Sequence, residues 1–401
     1  MGKDPMKKAV IYGAGNIGRG FIGQLLYESD YHTVFIDVNS DTVCALNERR
    51  AYPLRILAGN NHAGMNITDI HITDMTIKNV SAVHGRDTEQ AAAAIAEAGL
   101  MATAVGAGVL PEIAPVIAAG LCQRYKRGGA PLDILVCENL KDCGNVLRGL
   151  ICEHMPKELE KWYLNYIGLV ETSIGRMVPL QTPELLDGDP LRVCVEAYST
   201  LPVDRGAFRA GIPDLRGMLP CEPFSFYIER KLYIHNMGHA LAAYCGDYLG
   251  FEYLWQPVEV PGVKALVRKA MLACAMALAR KYGADKEELH AHVEDLLQRF
   301  ANRQLGDTVY RVGRDLRRKL AAEDRMIGAL RICAEADTGG ILLGIALALR
   351  FSHNDLNMPA EQALTEICEI YPDEPAYASI LGMYKHARSG ASFYDLVKGV
   401  A

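Results

Sequence analysis

Lys8-Ala9-Val10-Ile11-Tyr12-Gly13-Ala14-Gly15-Asn16-Ile17-Gly18, continued by residues 19–27 (RGFIGQLLY) and closed by Thr33-Val34-Phe35-Ile36-Asp37, decides the fold. The run Lys8 to Tyr12 is short and apolar, as a buried strand should be. Helical spacing begins at Gly18. Between them, Gly13 permits a tight turn, Gly15 lets the backbone approach a pyrophosphate, and Gly18 lets helix and strand pack closely. The helix N-terminus then offers unpaired N–H groups and a partial positive charge to phosphates. Arg19 and Gly20 extend that small or cationic surface. Asp37 closes the second strand about 20 residues on, where an acid binds ribose hydroxyls. It would repel a 2′-phosphate, so NAD is expected rather than NADP. FAD shares the fingerprint, but no second flavin-type motif is present. The expected cofactor residues here are Gly13, Ala14, Gly15, Asn16, Ile17, Gly18 and Asp37.

Outward from this stretch, apolar runs alternate with helical patterns. Ser81 to His84, a helix over Thr88 to Ala98, Met101 to Val105, a helix over Leu110 to Tyr125, and Asp133 to Glu138 follow in order. Such alternation means βαβ units and a parallel sheet. Arg55 to Met75 alternates polar and apolar residues around Gly59-Asn60-Asn61 and predicts an antiparallel insertion in that sheet. A second glycine cluster, Val105-Gly106-Ala107-Gly108, reads either as a ligand loop at the carboxyl ends of the strands or as a mobile loop. From about Glu222 the pattern is nearly all helical, with long stretches at Val263 to Tyr282, Glu287 to Phe300 and Gly339 to Phe351. The Gly- and Pro-rich segment Gly206 to Pro223 reads as the joint. The expected architecture is α/β: a Rossmann-like NAD-binding domain over residues 6–215, then a mostly helical substrate domain over 216–401.

The 401 residues suit two domains, and 50% apolar with 22% charged residues is ordinary globular composition. A net charge of −6 argues against nucleic acid but leaves room for a local cationic pocket. The 11 cysteines form no CxxC pair and read as reduced thiols in a cytoplasmic protein, with no secretory signal or membrane span expected.

The segment from Glu229 to His239 (ERKLYIHNMGH) stands out in the second half. At 100° per residue, Lys231, Asn236 and His239 fall within one arc of roughly 140°. Alcohol oxidation needs a base for the hydroxyl proton and polar groups for the oxygen that reacts, and these three residues could supply both. The same spacing also reads as a helix with a solvated polar face. His235 and His239 sit at i, i+4, but Asn236 replaces the glutamate of HExxH and no third ligand is evident, so no metal is expected. Arg311, Arg314, Arg317, Arg318 and Lys319 form the densest basic cluster. It reads as a phosphate or carboxylate site or as a solvated helix face.

Together these residues resemble the polyol-specific long-chain dehydrogenase/reductase family over nearly the whole chain. The family's Lys-x4-Asn-x2-His motif is matched by Lys231, Asn236 and His239, and YGAGNIGRGFIG (12–23), TAVG (103–106), Glu138-Asn139 and RVGRDLRRKL (311–320) resemble its members acting on mannitol 1-phosphate. The resemblance implies metal-independent hydride transfer, with Lys231 as acid/base and Asn236 and His239 polarising or orienting the reacting oxygen. It places Glu138 and Asn139 near the nicotinamide, while Val105 and Gly106 of the second glycine loop are expected with the cofactor and Arg311, Arg314 and Lys319 of the basic cluster with the substrate. The implied reaction interconverts mannitol 1-phosphate and fructose 6-phosphate in a monomer or small homo-oligomer. A hexuronate reductase, an unphosphorylated mannitol 2-dehydrogenase and a non-catalytic NAD-binding regulator are the alternatives. Three departures stand out: Gly175 where the family has an aspartate before Arg176, Tyr198-Ser199 in place of its Phe-Trp, and His235 where relatives are apolar.

Overall fold

The structure is a computed structural model that describes residues 6–58, 71–333 and 337–398. The chain divides after Phe224 into two compact units.

The first unit is built on strands β1 (Lys7–Tyr12), β2 (Tyr31–Asp37), β3 (Ala51–Ala58), β4 (His71–Lys78), β5 (Val80–His84), β6 (Leu100–Thr103), β7 (Leu132–Val136), β8 (Ile167–Glu171), β9 (Val193–Glu196), β10 (Leu201–Asp204) and β11 (Met218–Cys221). Six of them form a sheet in the order β5-β2-β1-β6-β7-β8, and every neighbouring pair is parallel. The order reverses between β1 and β6, the switch point at which a doubly wound sheet opens a crevice at its carboxyl edge. Helices α1 (Gly23–Tyr27), α2 (Ser40–Arg49), α3 (Thr88–Glu97), α4 (Leu110–Lys126) and α5 (Cys143–Cys152) supply crossovers. Asn39 and Asp87 start α2 and α3 by accepting from the N–H groups of Thr42 and Gln90. One apolar core packs α3, α4 and α5 on one face of the sheet, and a second packs Phe21, Leu25, Tyr52 and Val193 on the other.

Two sequence expectations need correction. The antiparallel hairpin exists as β3 and β4, but it is not inserted in the main sheet. It lies in a separate three-stranded sheet with β9, which buries the apolar residues Leu54 and Leu57. The turn residues Gly59-Asn60-Asn61 lie outside the described residues. Likewise, Gly206 to Pro223 is not a linker. Asp133 accepts from the N–H groups of Arg209 and Ala210, β11 pairs with β10, and the whole segment belongs to the first unit.

The second unit is helical. Its main elements are α6 (Phe224–Glu229), which begins at the boundary residue, α7 (Met237–Tyr248), α8 (Pro261–Tyr282), α9 (Lys286–Phe300), α10 (Val309–Gly313), α11 (Gly339–Arg350) and α12 (Pro375–Arg388). Pro261 opens α8 and Gly283 closes it in the left-handed conformation. The Asp285 side chain caps α9. α7 is buried along most of its length, and Gly238 is required there because a Cβ would sit 2.4 Å from Met271 Sδ of α8. No helix among the described residues is long and apolar enough to cross a membrane.

Candidate active site

At the end of β1 the glycines form a turn that is crowded at two of the three positions. Gly13 has φ +103°, and a Cβ there would meet the Ala104 carbonyl oxygen at 2.3 Å. A Cβ at Gly18 would meet the Gly13 carbonyl oxygen at 2.0 Å, whereas at Gly15 nothing lies within 4 Å. The turn is therefore closed on its inner side and open where a pyrophosphate would approach. The carboxylate of Asp37 accepts from Ala14 N–H at 2.7 Å and from Asn39 N–H at 2.9 Å. A carboxylate has about four acceptor sites, so both oxygens keep capacity for a ribose diol. The adjacent Val38 is 64% exposed.

The helix after the turn opens α-helical at Asn16 and Ile17, where Arg19 N–H donates to the Gly15 carbonyl at 2.9 Å, and then widens. Gly18–Ile22 is a π-turn, with Gly23 N–H donating to the Gly18 carbonyl. Widening the turn takes carbonyls out of α-helical pairing, and side chains take them up. The Tyr52 hydroxyl donates to the Arg19 carbonyl at 2.7 Å, and Arg176 Nη1 donates to the Gly20 carbonyl at 2.9 Å and to Gln24 Oε1 at 2.7 Å. Gly20 and Gly23 are glycines because a Cβ would strike Val193 at 2.7 Å and the Tyr52 hydroxyl at 2.4 Å. Arg19 is not the cationic surface expected of it. It is buried, and its Nε donates to the Ala14 carbonyl while Nη1 donates to the Leu191 carbonyl. Tyr52 and Arg176 thus support this turn from outside the motif. No local signal names Tyr52, whereas Arg176 stands beside the departure at Gly175.

Across the switch point, Glu138 is buried and accepts from Val105 N–H at 3.0 Å and Gly106 N–H at 2.8 Å. It holds the second glycine loop, in which Gly106 has φ +92°. Asn139 follows it on an exposed turn. At the departures from the family pattern, the Tyr198 ring occupies the space beside Gly175, 3.3 Å from where a Cβ would be.

In the second unit a second π-turn, Arg230–Asn236, joins α6 to α7, with Met237 N–H donating to the Leu232 carbonyl five residues back. Lys231 and Asn236 are five apart, the span of one i→i+5 hydrogen bond, so the wide turn leaves a smaller angle between them than α-helical geometry would. Both are partly buried. His239 follows on α7, with its ring centroid 4.9 Å from that of Phe300. Its Nε2 is shut from solvent and lies 3.3 Å from Asp307 Oδ2. Asp307 Oδ1 accepts from Arg311 Nε at 2.7 Å. Burial alone would raise the Asp307 carboxyl, but His239 and Arg311 outweigh it and hold the group below the usual range. His235 is buried against Phe300 at 5.6 Å. Burial first, then the charges of Arg299 and neighbouring groups including Lys231, keep it neutral, well below the ordinary histidine value.

The basic cluster of residues 311–319 is divided by the fold. Arg311 turns to Asp307. Arg314 is exposed and lines an open cleft with Tyr310 and His353. Lys319 is only 4% exposed, and its Nζ donates to the Val312 carbonyl at 2.7 Å and to the Arg314 carbonyl. Burial, then the charges of Arg325 and Arg318, push it down to about 7. Among the described residues no three His, Cys, Asp or Glu side chains form a metal-binding group.

A profile for the mannitol dehydrogenase Rossmann domain matches residues 7–217, and one for the mannitol dehydrogenase C-terminal domain matches residues 224–365. The chain belongs to the mannitol dehydrogenase family. It is 36% identical over 340 residues to a mannitol-1-phosphate 5-dehydrogenase of Brevibacillus brevis, covering 85% of this chain and 84% of that one. Among solved structures, a substrate-free D-sorbitol dehydrogenase has a TM-score of 0.80 at 16% identity, covering 98% of this chain and 94% of the other. Pseudomonas fluorescens mannitol 2-dehydrogenase, in a ternary complex with NAD and D-mannitol, has a TM-score of 0.76 at 17% identity, covering 99% and 94%. The protein is thus an oxidoreductase of this family, with a Rossmann-like domain followed by a helical one.

Proposed function

We propose that this enzyme interconverts mannitol 1-phosphate and fructose 6-phosphate using NAD(H). The observation that carries the reading is the set Lys231, Asn236 and His239, assembled on one π-turn and the helix it opens, in a chain 36% identical to a protein named for this activity. The first unit fits the dinucleotide: Gly15 leaves the phosphate approach open, and the Asp37 carboxylate stands where a 2′-phosphate would be repelled. NADH supplies the hydride. The ammonium of Lys231 gives its proton to the ketone oxygen during reduction and, as the amine, takes the hydroxyl proton during oxidation. Asn236 and His239 hold that oxygen and its neighbouring hydroxyl. Arg311, Arg314 and Lys319 are the cations proposed for the phosphate, of which Arg314 is exposed, in an open cleft that it shares with Asp315, His353 and Asp355. The enzyme works in the cytoplasm on a small sugar phosphate, as a monomer or small homo-oligomer.

The test is initial-rate oxidation of NADH and of NADPH against fructose 6-phosphate, fructose, tagaturonate and fructuronate. Fructose 6-phosphate with NADH should give a kcat/KM at least about tenfold above every other combination, a difference of about 1.4 kcal/mol in transition-state binding. Equal or better rates with a uronate, or with NADPH, would overturn the substrate or the cofactor assignment respectively.

A further inference from the structure

We propose that Asp307 is a positioning residue that fixes the His239 imidazole with its proton on Nε2, so that Nδ1 faces the substrate as a hydrogen-bond acceptor for a hydroxyl. The inference rests on the reading of Lys231, Asn236 and His239 as the reacting site and adds to it the direction of one hydrogen bond.

Three observations carry it. Asp307 is only 7% exposed, and its two oxygens face two nitrogens: Oδ1 takes Arg311 Nε at 2.7 Å, and Oδ2 lies 3.3 Å from His239 Nε2. Nε2 is buried, and the Asp307 carboxylate at 3.3 Å is the acceptor nearest to hand for a proton on that nitrogen. The contact is long and not yet aligned, as is common for such pairs before substrate binds. The carboxylate is also held in place from behind. The Asp307 carbonyl accepts from Leu254 N–H at 2.9 Å, Thr308 bridges to Tyr253, and the Thr308 hydroxyl caps α10 by accepting from Arg311 N–H. On its faces the imidazole meets Phe300 at 4.9 Å and His235 at 6.1 Å, so the ring cannot swing freely away from the acid.

The chemistry follows from the donor inventory. An ionised carboxylate only accepts, so in the neutral imidazole the proton must sit on Nε2 and the lone pair on Nδ1. Arg311 Nε occupies the other oxygen of the same carboxylate, which leaves Oδ2 for the imidazole. A neutral Nδ1 acceptor selects a ligand that presents a hydroxyl donor beside the reacting carbon. A polyol or its ketose does so, and a simple ketone does not.

The test uses the whole enzyme with ring-15N-labelled histidine, the His239 resonances being assigned by their loss in His239→Gln. The wild-type spectrum should show His239 as the Nε2–H tautomer. In Asp307→Asn the amide can turn its NH2 toward Nε2 and drive the proton to Nδ1. The Nδ1–H signature should then appear, and kcat/KM for the ketose should fall on the order of 10–100-fold with NADH affinity unchanged. Asp307→Glu should keep the Nε2–H signature and recover part of the rate. An Nδ1–H tautomer in the wild type, or wild-type kcat/KM in a folded Asp307→Asn enzyme, would overturn the inference. If Asp307→Asn does not fold, the wild-type tautomer and the Asp307→Glu rate still decide it. Full turnover in Lys231→Ala would instead defeat the reading of the site, whatever the tautomer.

Discussion

The two π-turns, Gly18–Ile22 and Arg230–Asn236, use one backbone device for opposite ends. The first is wholly buried, and its purpose is in the main chain. Its widened coil hands carbonyls to Tyr52 and Arg176 and sets the edge of the phosphate turn. The second bears on side chains, because its widened coil leaves a smaller angle between Lys231 and Asn236 than an α-helix would. A π-turn costs hydrogen-bond geometry wherever it occurs, so its presence at both sites fits the tendency of such turns to mark function. The lesson is that a backbone-built site is enforced by what cannot fit, and a side-chain-built site by what is brought together.

Breaking the first turn should give the larger effect. Gly18→Ala places a methyl group 2.0 Å from the Gly13 carbonyl oxygen, which can be relieved only by moving the turn. Strain of about 1–3 kcal/mol is typical of such overpacking. Taken from binding, it raises the NADH dissociation constant about 10–100-fold, measurable by fluorescence titration, with kcat at saturating NADH nearly kept.

A milder cut in the same region sharpens the contrast. Tyr52→Phe removes the hydroxyl that satisfies the Arg19 carbonyl and leaves that buried acceptor unpaired. The expected loss is about 1–2 kcal/mol, seen as a fall in Tm of a few degrees. The kcat at saturating NADH should be unaffected.

The second region should instead reveal itself through pH. Burial and then the charges of Arg230 and Arg299 push His292 down to about 3, and His235 is also held neutral. For a histidine with a lowered folded value, the unfolded chain binds the extra proton. Stability is therefore full above about pH 6.5 and is lost as pH falls toward the folded value. Each such group should remove somewhat under about 1 kcal/mol by pH 6, and His292→Gln should flatten the dependence of urea stability on pH by up to one proton. An unchanged slope would show that His292 is solvated in solution.

The asymmetry between the two regions also explains what was legible in the sequence. Gly13 and Gly18 could be read because a Cβ fits at neither, and Gly15 and Asp37 because their spacing from those two is fixed in the motif. The parallel sheet followed from alternating apolar runs. The second region was harder. Lys231, Asn236 and His239 were recognisable as a motif, but no residue type encodes a π-turn, and α-helical spacing spread them over a wide arc. The basic run from Arg311 to Lys319 looked uniform in sequence, yet α10 and the separate short helix Leu316–Lys319 divide it, with Arg311 at a buried acid, Arg314 at an open cleft and Lys319 at two carbonyls. The partner that divides them, Asp307, lies four residues before Arg311. That is the spacing of an ordinary helical ion pair, and nothing local shows that its other oxygen faces His239. Arg19 misled for the same reason: its charge was visible, its burial was not.

The most direct measurement is the single-turnover rate of Lys231→Ala with NADH and fructose 6-phosphate, with and without added primary amines. NADH affinity should be unchanged, the hydride step should slow on the order of 10²–10⁴-fold, and small amines should restore part of it in proportion to their concentration. A hydride step at the wild-type rate in this variant would contradict a lysine acid/base.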